Sequence, residues 1–261
     1  MTESTMSKKK LEGKVAIVTG GASGIGEATA HHFAKHGALM VVIADIQEEL
    51  GQQVAKSIGL NHCTYIRCDV TNEEQVKAMV EWTLKNYGQL DIMFSNAGIY
   101  SRSDQTVLDL DLLALDHLFA INVRGMAACV KHAARAMVEK SVRGSIVCTA
   151  SVSASRGSTK HTDYYMSKHA VLGLVRSASR QLGKHGIRVN CVSPSAVATP
   201  LVCSALGMDV EQLEKAFEPR ASLNGLVLKV GHVADAVLFL ASDDSGFVNG
   251  HDLLVDGGWI D

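Results

Sequence analysis

Apolar residues fall along this chain in short, nearly unbroken runs, separated by longer stretches where they recur at helical spacing. The runs "KVAIVT" (14–19), "MVVIA" (40–44), "CTYIRC" (63–68), "LDIMFS" (90–95), "GSIVCTA" (144–150), "IRVNCVS" (187–193) and "HDLLVD" (251–256) read as strands. Their continuous apolar character suits strands covered on both faces. Between them the pattern predicts helices near 24–36, 47–58, 73–87, 112–139, 163–184 and 232–241. Thr71 is the expected N-cap of the third, with Glu73 and Glu74 in its first turn. Strand–helix alternation predicts an α/β fold: one doubly wound parallel sheet of about seven strands with helices on both faces. Crossovers should be right-handed, and a ligand crevice should lie at the carboxyl ends of the strands.

The segment 195–231 has weaker periodicity and lies among the three prolines, Pro194, Pro200 and Pro219. It reads as a loop carrying a helix near 209–218, a lid over the crevice. Residues 1–10, "MTESTMSKKK", read as a flexible solvated tail without a secretory apolar stretch. Residues 11–261 then form a single domain.

Composition narrows the function classes. A net charge of -2 gives no basic excess for nucleic acid. No apolar run approaches the roughly 18 residues of a membrane span. The cysteines, Cys63, Cys68, Cys129, Cys148, Cys191 and Cys203, form no CxxC pair and sit mostly in apolar runs, so reduced core thiols in a cytoplasmic protein are expected. The eleven histidines show no metal-ligand spacing. No metal is expected.

Candidate chemistry begins after the first strand, in "TGGASGIG" (Thr19–Gly26). Glycines there allow a tight turn and close approach of backbone N–H groups to a pyrophosphate, and the following helix N-terminus adds its dipole. The second strand ends at Asp45. A carboxylate there accepts hydrogen bonds from ribose hydroxyls and repels a 2′-phosphate, so NAD is favoured over NADP. Ile46 and Gln47 offer no cation to hold such a phosphate. Asp45 could also cap the following helix.

A second signal is "DYYMSK" (Asp163–Lys168). An ammonium beside a phenol favours the phenolate, and so makes an acid/base pair. At about 100° per residue, Tyr164 lies about 40° from Lys168 around the helix and Tyr165 about 60°. That spacing leans to Tyr164 only slightly.

These motifs together resemble the short-chain dehydrogenase/reductase family over about residues 11–258. "TGGASGIG" matches its TGxxxGxG at Gly20, Gly24 and Gly26. "NAG" (Asn96, Ala97, Gly98), "NVRG" (Asn122–Gly125) and "YYMSK", as YxxxK, follow in family order. The resemblance implies a Rossmann-type fold and a catalytic set of Asn122, Ser151, Tyr164 and Lys168. It decides for Tyr164, which stands four residues before the lysine. It selects Ser151 over Ser153 and Ser155 by the thirteen-residue offset from Tyr164. Asn122 would hold a water that relays protons to Lys168. Tyr165 becomes pocket wall or helix packing. Cofactor contacts are implied for Gly20, Ser23, Gly24, Ile25, Gly26, Asp45, Asn96, Ala97, Gly98, Tyr164 and Lys168. Asp69 and Val70 would flank the adenine; Val197 and Thr199 would grip the carboxamide. A homotetramer is implied, with helices 112–139 and 163–184 paired across subunits.

The chain departs from the family's Pro-Gly turn after the sixth strand, reading "SPSAVATP" with Ser195 and Ala196. Lys160 and His161 are expected on an exposed loop near the cleft entrance. The wording of the chain is similar to plant members that act on terpenoid alcohols, such as borneol dehydrogenases and nepetalactol-related enzymes. Some of the latter bind NAD yet cyclise an enol without net redox. A small hydrophobic substrate is expected under the apolar lid residues Val197, Ala198, Leu201, Val202, Leu206 and Met208.

Overall fold

The computed structural model describes residues 9–101 and 103–259. The expected tail therefore lies, except for Lys9 and Lys10, outside the described residues. Seven parallel strands form one sheet: β1 (Val15–Thr19), β2 (Met40–Asp45), β3 (Cys63–Arg67), β4 (Ile92–Ser95), β5 (Ser145–Thr149), β6 (Arg188–Pro194) and β7 (Asp252–Val255). Their order is β3-β2-β1-β4-β5-β6-β7. The chain winds outward from β1 in one direction and then, from β4, in the other. The crevice expected at such a switch point therefore opens above β1 and β4.

Successive strand residues point to opposite faces, and each face finds its own helices. Val15, Ile17, Val42, Met93 and Ile146 join one core cluster. It includes residues of α3 (Glu73–Tyr87), α5 (Met126–Glu139) and α6 (Thr162–Leu182). Ala16, Val18, Val41, Ile43, Phe94 and Val147 join the other. It includes residues of α1 (Gly24–Lys35), α2 (Glu48–Ile58) and α9 (Val230–Ala241). The fully apolar strands of the sequence are thus explained by two covered faces.

Four local expectations are corrected. The N-cap of α3 is Asn72, whose Oδ1 accepts from Glu74 N and Gln75 N at 3.1 and 3.3 Å. Thr71 is occupied otherwise, its hydroxyl donating to Asp69 Oδ1 at 2.8 Å. The helical run 112–139 is not uniform: α4 (Leu112–Phe119) passes through a π-helical turn, Ala120–Gly125, before α5. That run, with mean hydropathy 1.3, is also long and apolar enough to cross a membrane. Met126, Cys129, Ala133 and Met137 bury the apolar face of its α5 part in the core. Finally, the 195–231 segment holds two α-helices, α7 (Pro200–Leu206) and α8 (Val210–Phe217). The punctuation for α7 is present in the sequence: Thr199 caps it, Pro200 opens it, and Gly207 closes it at φ 62°.

Candidate active site

A cleft of about 750 Å³ opens above the carboxyl ends of the strands. Every residue expected to bind the cofactor or act in catalysis lines it, except Gly26 and Asn122; of the expected lid residues Val197, Leu201 and Val202 line it, and Ala198, Leu206 and Met208 do not. Gly26 and Asn122 lie behind the surface and shape it.

The glycine turn is built by contact. A Cβ on Gly26 would run into the carbonyl of Gly20, so only glycine lets α1 start this close to β1. Gly24 sits at φ +58°, and a Cβ there would press on the Thr199 side chain at 3.2 Å. Asp45, almost fully buried at the end of β2, accepts from Ala22 N in the same turn at 3.0 Å. Its other oxygen accepts from Gln47 N at 3.0 Å. Asp45 thus pins the turn to the second strand while lining the cleft. The cap residue of α2 is Gln47, not Asp45.

Asn96 ties three strand ends together. Its Nδ2 donates to the carbonyls of Thr19 and Gly20 at 3.1 and 3.3 Å, and its Oδ1 accepts from Thr149 Oγ1 at 3.0 Å. Asp69 closes a turn onto Thr71 N at 2.9 Å. The cradle fits a dinucleotide: a glycine turn packed too closely for any other residue, a helix start beyond it, and a buried carboxylate beside it.

The opposite wall carries the acid/base candidates. Lys168 is buried on α6, and its Nζ donates to Thr149 O at 3.0 Å. It stands 5.5 Å from the Tyr164 ring centroid. Burial pulls the Lys168 ammonium down to about 8. Burial also pushes the Tyr164 phenol up to about 12, against the lowering effect of the Ser151 hydroxyl. The chain by itself therefore holds Tyr164 as a neutral phenol at neutral pH. The sequence argument, resting on the ammonium, expects the phenolate to be favoured; here the lowering partner is the Ser151 hydroxyl, and desolvation outweighs it.

Asn122 is fully buried on the π turn. Its Oδ1 accepts from Ile99 N at 2.8 Å and its Nδ2 donates to Ile99 O at 2.9 Å, as a neighbouring strand would. The same Nδ2 reaches Ser167 Oγ at 3.2 Å. Its side chain thus holds the loop after β4 against α6. Tyr165 is absent from the cleft lining. Its ring stands edge-on to Tyr164 at 6.5 Å. Lys160 pairs with Asp104 at 2.6 Å on the exposed surface. His161, by contrast, lies tilted against Tyr100 at 4.9 Å, and its buried Nδ1 has no hydrogen-bond partner among the described residues.

Sequence reasoning missed Tyr100. It lines the cleft with its ring 4.4 Å from that of Tyr164, and burial raises its phenol pKa. Only its place two residues beyond "NAG" pointed to it. Ser101 and Asp163 were missed as well: a short hydrogen bond of 2.5 Å between them ties the Tyr100 loop to the residue before Tyr164.

A family profile described as enoyl-(acyl carrier protein) reductase matches residues 20–260. Sequence relatives are similar over nearly the whole length. The (+)-cis,trans-nepetalactol synthase of Nepeta racemosa is 60% identical over 254 residues, 97% of this chain and 93% of that one.

This chain is a short-chain dehydrogenase/reductase.

As a member of that family it is also 57% identical to the (-)-isopiperitenol/(-)-carveol dehydrogenase, mitochondrial, of Mentha piperita, over 97% of this chain and 95% of that one. Among solved structures, levodione reductase superposes with a TM-score of 0.87 at 30% identity, covering 95% of this chain and 97% of that one. Short-chain dehydrogenases of this fold generally bind NAD or NADP and belong to the oxidoreductases.

Proposed function

We propose that this short-chain dehydrogenase uses NAD to oxidise a hydrophobic cyclic secondary alcohol or lactol of monoterpenoid size, of the borneol or nepetalactol type. The observation that carries the reading is the convergence of Ser151, Tyr164 and Lys168 on one wall of a cleft whose other wall is the glycine turn with Asp45. Gly20, Ser23, Gly24, Ile25, Asp69, Val70, Ala97, Gly98, Val197 and Thr199 would hold the dinucleotide between them. Asp45 supports NAD, since a buried carboxylate repels a 2′-phosphate.

When bound, the dinucleotide supplies a hydride acceptor. Ser151 donates a hydrogen bond to the substrate oxygen and orients it. Tyr164 takes the hydroxyl proton as the alcohol becomes a carbonyl. Lys168 stabilises the phenolate that Tyr164 must become, and holds the ribose. Asn122 supports this wall through Ile99 and Ser167, and its relay to Lys168 runs through a water. Helices α7 and α8 serve as the lid, with apolar Leu201 and Val202 on the cleft.

The test is a panel of terpenoid alcohols and lactols with NAD, following the NADH absorbance and the products by chromatography. NADH formed in step with ketone or lactone supports the reading; product without NADH sinks it. A second reading, a redox-neutral terpenoid cyclase with NAD as a scaffold, has its own support. The Nepeta racemosa relatives at 60% identity are named nepetalactol synthases, and a neutral Tyr164 phenol is the form that donates a proton. Product without NADH is its signature.

The same reading includes a homotetramer. Leu108 before α4 and Leu112 and Leu113 at its start are each more than half exposed, as is Phe247, and such apolar surface suits a partner subunit. Light scattering checks it. The cytoplasmic setting rests on sequence alone, against one relative whose name places it in mitochondria; cell fractionation decides.

A further inference from the structure

A second cavity, of about 300 Å³, lies beside the cleft. It is bounded by α8, the stretch 221–228 and the residues after β7. Leu213, Phe217, Leu223, Leu226, Val227 and Trp259 give it an apolar lining. One end is closed by Phe217 stacked on Trp259 at 5.8 Å, with the Arg220 guanidinium against both rings. The far wall is fixed by Ser222 N and Leu223 N, which donate to the carbonyls of Gly258 and Gly257 at 3.0 Å.

The wall shared with the cleft is the single stretch 195–199, which turns at Ala198, where Thr199 N donates to Val197 O at 2.7 Å. Val197 and Thr199 face the cleft, Ala196 and Ala198 face the second cavity, and Ser195 borders both. Two alanines on the outer side leave the space unfilled. Polar chemistry is confined to a few groups, of which Glu214 is paired with Lys229. The Nδ1 of His232 accepts from Lys229 N at 3.2 Å, so its proton sits on Nε2. His232 is exposed at the cavity rim, and its Nε2–H has no hydrogen-bond partner among the described residues.

We infer that this cavity is a second ligand site. Its occupant is a neutral cyclic organic molecule of about ten heavy atoms with one acceptor oxygen. A cavity of about 150 Å³ takes benzene, with six heavy atoms, so about 300 Å³ suits a molecule of roughly ten. An apolar lining favours a carbon skeleton over water, and the His232 donor selects one oxygen. Filling the cavity stiffens the partition that carries Val197 and Thr199, so the occupant strengthens dinucleotide binding on the other side. The inference stands apart from the catalytic reading, because the cavity touches none of Ser151, Tyr164 and Lys168.

The test uses the full chain with Trp82→Phe, which leaves Trp259 as the only tryptophan. The probe is 1,8-cineole, a saturated bicyclic ether with one acceptor oxygen and no oxidisable hydroxyl. Expected is a saturable change in Trp259 fluorescence that Val227→Phe, which fills the cavity, abolishes and Tyr164→Phe leaves intact. With cineole saturating, the NAD dissociation constant should fall by about 5-fold or more. No fluorescence response, or one that Tyr164→Phe removes and Val227→Phe spares, overturns the site. Emission that follows protein concentration but not cineole would put a second copy over the cavity and also overturn it. An unchanged NAD dissociation constant overturns the coupling.

Discussion

The two walls of the cleft are built on opposite plans. On the glycine-turn wall nearly every polar group has a protein partner: Asp45 binds the backbone at Ala22 and Gln47, and Asn96 uses both ends of its amide on neighbouring strands. On the tyrosine wall the Tyr100 hydroxyl makes no hydrogen bond within the described residues, and Ser151 and Tyr164 turn toward the cleft. The first wall is a mould whose shape is fixed before any ligand arrives. The second is tied more sparingly, with Lys168 Nζ on Thr149 O and Ser151 Oγ accepting from Ser153 N, and burial has shifted its titrating groups from their ordinary values. Fixed partners go with binding; spare ones go with reaction.

The comparison breaks most clearly at Tyr164. Tyr164→Phe should lower kcat/KM for alcohol oxidation by about 10²–10⁴-fold with little change in NAD binding. If NAD binding falls as far as turnover, the two walls are not separate. Asp45→Ala should do the reverse, lowering the NAD-over-NADP preference in kcat/KM by about 10–100-fold, as expected for hydrogen bonds to a charged group. Gly26→Ala should cost about 1–3 kcal/mol of stability by overpacking against Gly20, read as a lower Tm and weaker NAD binding.

The pH profile sharpens the contrast further. Tyr164 is raised toward about 12, so its base form grows about tenfold per pH unit below that value. Oxidation should therefore speed up as pH rises through neutrality, while the reverse reduction, which needs the phenol, stays level. Near pH 8 the oxidation curve should bend as Lys168 loses its proton. Lys168→Arg, which stays charged, should remove the bend. The smallest effect is expected for Tyr165→Phe, within about twofold in kcat/KM, because a group off the cleft lining has no proton to move.

The same contrast explains what the sequence disclosed. Strands with two covered faces have to be apolar throughout, so the sheet could be read from hydropathy. The glycine turn has to be glycine, so it too was readable. The π turn was not: Ala120–Gly125 looks like the rest of a long helix, and its extra residue is set by the tertiary clamp between Asn122 and Ile99. Tyr100 was hidden for a related reason. Its role comes from the Ser101–Asp163 hydrogen bond, which spans 62 positions of sequence and leaves no periodicity behind. Helix α7 was different, since Thr199, Pro200 and Gly207 announced it and weak hydropathy obscured them.

The π turn also has a bearing on how this chain can change over time. One extra residue in a helical turn rotates everything before it by about 100° relative to everything after. Leu112 and Leu113 on α4 therefore point where they do because of a turn whose inner side grips the loop beside Tyr164. Insertion or deletion of one codon there would swing an outer apolar face and release an inner clamp in a single event. Surface and site are locked to the same phase, so this stretch can vary in residue type far more readily than in length.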